Sequence, residues 1–205
     1  RHAVSGIEAL LRWHDPVAGI IAPDEFIPIA EETDLIQPIG AWVLHAALRQ
    51  NRLWQESGRP LLPVSINLSP RQFRQKDLVE RIRAILAETG QPAHLLELEI
   101  TESVAMLDAG FMLDTLAKLK QRGIAIAIDD FGTGFSSLSY LHQLPLDELK
   151  VDRAFVQGIE TPKGEAIART IILLAQQLGM SSLGEGVETE MQAQLLRSLG
   201  CTDAQ

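Results

Sequence analysis

"GIAIAIDDFG" (Gly123–Gly132) alternates aliphatic residues and then stops at two adjacent carboxylates, Asp129 and Asp130. Strand residues alternate faces, so Ile124, Ile126 and Ile128 share one face, and Ala125, Ala127 and Asp129 the other. The same split recurs along the chain. In "PVSIN" (63–67), Val64 and Ile66 oppose Ser65 and Asn67. In "LELEIT" (96–101), Leu96, Leu98 and Ile100 oppose Glu97, Glu99 and Thr101. In "ELKVD" (148–152), Leu149 and Val151 oppose Glu148, Lys150 and Asp152. One face is aliphatic and suits a layer of packed helices. The other is small or polar, with an ionisable or amide group near the C-terminal end of the strand. An open doubly wound sheet wants apolar residues on both faces. A polar face converging from many strands is what a barrel interior offers, and active sites in such barrels lie at the C-terminal mouth.

Around this stretch, strand-like and helix-like segments alternate. Strands are expected over 5–13, 61–69, 95–103, 124–132, 147–152 and 180–188, with 201–205 beginning another. Helices are expected over 23–36, 38–57, 76–90, 108–123, 164–179 and 189–200, with a short one over 136–144. Repeated strand–helix units mean a parallel sheet. No low-complexity linker interrupts the 205 residues, so one domain is expected. The net charge of −9 argues against a DNA or RNA polymer as partner, since such binding rests on phosphate neutralisation by Lys and Arg. An anionic ligand would instead need a bound divalent cation. The lone Cys201 excludes an internal disulfide and any multi-cysteine metal site, and a reducing, cytoplasmic setting fits it. No apolar stretch is long enough to span a membrane.

The strand-end groups, in order, are Glu8, Asn67, Glu99, Asp129 with Asp130, Lys150 with Asp152, and Glu185 with Glu188. Oxygen ligands without a cysteine or histidine cluster suit a hard cation, Mg²⁺ or Mn²⁺. Two such ions allow hydrolysis of a phosphodiester by an activated water. Taken singly, a carboxylate at a strand end is more often a helix N-cap or a solvated loop charge. The recurrence over six strands is what carries the reading. Glu188 is its weakest member, because the helix after it needs a cap, and Glu97 lies deeper and reads as structural. His2, His14, His45, His94 and His142 are scattered without ligand spacing, and no nucleophile elbow is present. "GTG" (132–134) is too short for a phosphate loop and suits a flexible loop. Trp13, Trp42 and Trp54 suit core or interface packing. On chemistry alone, an enolase-like barrel with Lys150 as base is a further reading.

The segments "EALLRW" (8–13), "PDEFIPIAEETDLI" (23–36), "INLSPRQF" (66–73), "LELEITES" (96–103), "DDFGTGFSSLSYL" (129–141), "LKVDRAF" (149–155) and "GEGVETEMQ" (184–192) resemble the EAL domain family in order and spacing, over essentially the whole chain. The resemblance implies an α/β fold, a (β/α)8 TIM-like barrel of EAL type whose first strand runs antiparallel. Here it lacks that first strand and the end of the last, so 1–205 is expected to be a single EAL domain cut from a longer multidomain signalling protein. The implied activity is hydrolysis of cyclic di-GMP to linear pGpG by a metal-activated water, with one or two Mg²⁺ or Mn²⁺ ions per site. Ca²⁺ is expected to bind without turnover. The alternative is a catalytically silent cyclic di-GMP receptor or protein-interaction domain.

By motif, Glu8, Asn67, Glu99 and Asp129 match ligands of a first metal, and Asp129 bridges to a second with Asp130 and, through water, Glu185. Lys150 matches the lysine that holds the attacking water, which puts Lys150, Glu185 and Glu8 at the chemistry. Arg12 matches a phosphate contact, Gln205 a guanine contact, and Asp152 and Glu188 further substrate-side polar positions. Glu102 matches the anchor of the loop after the Asp pair. Implied partners are a second copy, in contact through 136–149 and the segment after Asp152, and GGDEF or sensor domains in the same chain. No membrane contact by the domain itself is implied, whether or not the parent protein is anchored. Gly184 and Phe135 depart from the family's usual Ala and Tyr. Asp129 is expected to point into the mouth. Asp130 reaches the metal only if the strand ends at Asp129 and the chain curls over the rim.

Overall fold

The computed structural model of the protein describes residues 3–105, 109–132 and 141–205. Residues 136–140, which begin both the expected short helix over 136–144 and the expected dimer segment, and Phe135 therefore lie outside the described residues. Nine strands are described: β1 (Ile7–Ala9), β2 (Trp13–Asp15), β3 (Gly19–Ile21), β4 (Val64–Asn67), β5 (Leu96–Thr101), β6 (Ala125–Phe131), β7 (Glu148–Val151), β8 (Ser181–Gly184) and β9 (Asp203–Ala204). The described helices are α1 (Pro23–Glu32), α2 (Ile36–Glu56), α3 (Pro70–Phe73), α4 (Leu78–Thr89), α5 (Glu102–Ala105), α6 (Ala109–Gln121), α7 (Arg153–Gln157), α8 (Pro162–Gln177) and α9 (Glu190–Ser198). Seven strands form one sheet in the order β1-β4-β5-β6-β7-β8-β9. The pairs β1–β4, β6–β7, β7–β8 and β8–β9 are parallel. The chain divides into two compact units, Arg1–Leu98 with Gln121–Ile124, and Glu99–Lys120 with Ala125–Gln205.

In the first unit, α2 packs on α1, α3, α4 and β4. Its buried Gly40, Leu44, Leu48 and Asn51 recur at helical spacing, as do Leu78, Ile82 and Leu86 on α4. Helix α4 closes at Gly90, which takes a left-handed φ of 66° that glycine adopts without strain. The expected strand over 5–13 breaks in two. β1 covers three of those residues, and Trp13 opens a hairpin in which β2 pairs antiparallel with β3. The cause is turn chemistry in "DPVAG": Asp15 Oδ1 accepts from the N–H groups of Val17 and Ala18, both at 2.8 Å. The tryptophans are not core residues either. Trp42 is 63% exposed, because it lies about 200° around the helix from Leu44. Trp54 is 39% exposed, and Trp13 only meets Phe26 edge-on at 5.7 Å.

In the second unit, α8 packs on β7 and β8. Ile126, Ile128, Leu149 and Val151 are buried, together with Ile172 and Ala175 of α8. Asp147 ties the strand starts together. Its carboxylate takes Lys120 Nζ and the N–H of Ile126, and its carbonyl accepts from Ser181 N–H at 2.8 Å. Strand β6 matches the strand expected over 124–132 and does not end at Asp129, the condition set for Asp130 to reach a metal. It runs to Phe131 through a bulge: Ile128 pairs with Leu149 and Phe131 with Val151, so three steps on β6 oppose two on β7. Asp130 adopts φ 55°, and its N–H bonds to Asp129 Oδ1 at 2.9 Å. Aspartate is among the few residues that take this region routinely.

Candidate active site

β7 delivers Lys150 into the interior with 1% of its side chain exposed. Its ammonium lies 2.7 Å from Glu185 Oε1, 3.0 Å from Glu99 Oε2 and 3.4 Å from Asp129 Oδ1. Glu99 comes from β5 and is itself buried. Glu185 follows β8 directly, where its N–H holds Val151 O at 3.1 Å. A buried ammonium is costly unless paired. Burial pulls the Lys150 pKa down, but the charges of Glu99, Asp129 and Glu185 outweigh it and hold the pKa above the ordinary lysine value. Lys150 is therefore held as an ammonium by its three carboxylate neighbours.

The bulge places a second carboxylate beside the first. Asp129, Asp130 and Glu185 each offer an oxygen, and these oxygens lie within 4.8 Å of one another. Loss of solvation raises the Asp130 pKa, and the neighbouring charges of Asp129 and Asp152 raise it further. One ammonium thus faces a surplus of carboxylate charge. An all-oxygen, anionic donor set of this kind fits a hard divalent cation. Glu102, buried at the start of α5, accepts from Gly132 N–H at 2.9 Å, so it grips the first residue after β6. Gly132 has φ 97°, and a Cβ there would meet the Phe155 ring at 2.9 Å, so a side chain there would be strained.

The first unit holds a separate pair: Asn67 Nδ2 donates to Glu8 Oε1 at 2.8 Å. Glu8 stands opposite Ser65 in the β1–β4 register, and Ser65 Oγ donates to Glu97 Oε1 at 2.6 Å. Arg12 is exposed, with Nη1 on Leu11 O. In the second unit, Asp152 caps α7 by accepting from Ala154 N–H at 2.9 Å. Glu188 does not cap α9; Thr189 and Gln192 form that capping box. Glu188 instead pairs with Arg153 Nη2 at 2.6 Å. Gln205 lies alongside the end of β8, its N–H on Gly184 O and its carbonyl on Val187 N–H. Arg153 was not among the sequence candidates. Its signal was a cation directly after "KVD", beside a segment otherwise rich in acids. Gly184 also finds its reason here, since a Cβ would lie 2.6 Å from Leu196 Cδ1.

A family model, "EAL domain", matches residues 1–205. The chain belongs to the EAL domain family. It is 46% identical over 202 residues to the bifunctional diguanylate cyclase/cyclic di-GMP phosphodiesterase MucR of Pseudomonas aeruginosa, covering 98% of this EAL domain and 29% of MucR. It is 40% identical over 199 residues to the cyclic di-GMP phosphodiesterase NbdA of the same organism, covering 97% of this chain and 25% of NbdA. Among solved structures, the MucR phosphodiesterase in complex with c-di-GMP superposes with a TM-score of 0.95 at 45% identity, over 99% of this chain and 83% of that one. The domain thus has the α/β fold of EAL structures and spans less than a third of those two relatives. No described helix is long and apolar enough to cross a membrane.

Proposed function

We propose that this EAL domain is a cyclic di-GMP phosphodiesterase that opens one phosphodiester of the ring to give linear pGpG, with Mg²⁺ or Mn²⁺ as cofactor. The observation that carries the reading is Lys150, buried among Glu99, Asp129 and Glu185, in a chain similar to named phosphodiesterases over nearly its whole length. In the second unit Asp129, Asp130 and Glu185, with Glu99, would hold the metal, and by motif Glu8 and Asn67 of the first unit would be further ligands. The metal supplies charge neutralisation for a substrate with two phosphates and Lewis-acid activation of water.

Lys150, fixed as an ammonium, donates a hydrogen bond that orients the attacking water. It also stabilises the charge that gathers on the phosphate oxygens in the transition state. Arg12 takes a substrate phosphate and Gln205 a guanine edge. Asp152, which also caps α7, and Glu188, which is also paired to Arg153, are further polar positions of the site. The domain is expected to act in the cytoplasm, as a homodimer, inside a longer signalling protein that carries sensor or GGDEF domains.

The test is incubation of the purified domain with cyclic di-GMP and Mg²⁺ or Mn²⁺, followed by chromatography. pGpG should accumulate with either ion and not with Ca²⁺. Binding of cyclic di-GMP in Ca²⁺ without any pGpG in Mg²⁺ or Mn²⁺ would mark the domain as a receptor and overturn the proposal.

A further inference from the structure

The residue next to the Glu185 carboxylate is Gly186, in a left-handed conformation with φ 65°. It lies under the aliphatic stem of Arg153: a Cβ at 186 would stand 2.5 Å from Arg153 Cγ and 2.9 Å from Cδ. The guanidinium then reaches across the same turn to Glu188 Oε1 at 2.6 Å. On its other side lies the Gln157 amide, which with its oxygen turned toward the guanidinium accepts from Arg153 Nε at 2.7 Å and Nη2 at 3.0 Å. Arg153 is also the first residue of α7, whose cap Asp152 lies two positions from Lys150. One side chain therefore spans the turn that carries Glu185 and the helix start that follows Lys150. Glu185 and Lys150 meet at 2.7 Å.

We infer that Arg153 is a positioning residue, which with Glu188 clamps the Glu185–Glu188 turn and sets the direction of the Glu185 carboxylate toward Lys150 and the metal. The inference rests on the phosphodiesterase reading only for its effect on turnover; its effect on metal binding stands apart from that reading. An exposed ion pair alone adds little to stability. The work of this one is geometric. The stem covers Gly186, the residue with most backbone freedom in the turn, while the head fixes the turn's far end through Glu188. Without Arg153, Gly186 is uncovered and Glu185 loses its single direction. Groups that orient a metal ligand in this way typically govern metal affinity and activity more than fold stability.

The test compares wild type with Arg153→Ala, Glu188→Ala and the double variant in the whole chain. Calorimetry with Mn²⁺ alone measures metal affinity, and steady-state kinetics with cyclic di-GMP separate kcat from KM. Arg153→Ala should weaken Mn²⁺ binding about 10-fold and lower kcat by a similar factor. KM should stay within about twofold and the Tm within about 2 °C. The double variant should be no worse than Arg153→Ala, because both residues act through one clamp. Unchanged Mn²⁺ affinity and kcat in Arg153→Ala would overturn the inference. So would additive losses in the double variant, or a raised KM with Mn²⁺ affinity intact, which would make Arg153 a substrate contact. If wild type itself yields no pGpG, the phosphodiesterase reading fails and the Mn²⁺ titration still decides the clamp.

Discussion

Replacing Lys150 by Met removes one charge and little volume, since Met is unbranched and fills irregular space well. The ammonium lost is 1% exposed, and the carboxylates it leaves behind are 3% (Glu99), 16% (Asp129) and 18% (Glu185) exposed. Removing one partner of a buried ion pair costs about 3–5 kcal/mol, because the remaining charge is stranded. In a domain of this size each kcal/mol moves Tm by about 2–4 °C. In EDTA, Lys150→Met should therefore melt about 6–20 °C below wild type. Mn²⁺ should then raise the Tm of the variant by more than it raises that of wild type. The cation binds only the folded cluster, and that cluster is now more anionic. Turnover should be lost while metal binding persists. Thermal unfolding with EDTA and with Mn²⁺ measures both shifts. An EDTA Tm within about 2 °C of wild type, or a Mn²⁺ shift smaller than wild type's, would refute the view that Lys150 is the internal counter-ion of a metal site.

Asp129→Asn should weaken Mg²⁺ binding and turnover together, measured by calorimetry and pGpG formation; full Mg²⁺-dependent activity would rule out a bridging role. Gly184→Ala should destabilise the domain by about 1–3 kcal/mol through overpacking against buried Leu196, and adding Leu196→Val should recover part of the loss in the same denaturant titration. Glu80 carries a pKa below its ordinary 4.5, first through its hydrogen bond with Arg83 and then through the nearby charges of Arg83 and Arg122. Its contribution is present above the unfolded-state pKa and is lost as pH falls through the lower folded value, so Glu80→Gln should flatten the decline of Tm between about pH 5 and pH 3. An unchanged acid slope would show that the Arg contacts are absent in solution.

Much of the scaffold was legible in the sequence because parity and helical period are local. Ile126, Ile128, Leu149 and Val151 could be assigned to the packed face from their own strands, and Gly90 could be read as a helix end from its place after an amphipathic run. What escaped has a common physical character. The one-turn helices α3, α5 and α7 are too short to show a period. The β2–β3 hairpin depends on a side-chain turn at Asp15 that an apolar strand pattern ran across. The carboxylate pair at 129–130 is the instructive case. Parity assigns Asp129 to the polar face and, in a regular strand, sends Asp130 to the packed one. Sequence reasoning could reconcile both acids with one site only by ending the strand. The chain instead keeps the strand and inserts a residue, with Asp130 left-handed and Phe131 back in register opposite Val151. Parity is a property of one strand, whereas a bulge is a mismatch between two. The second carboxylate therefore joins the first through a pairing that neither strand specifies alone.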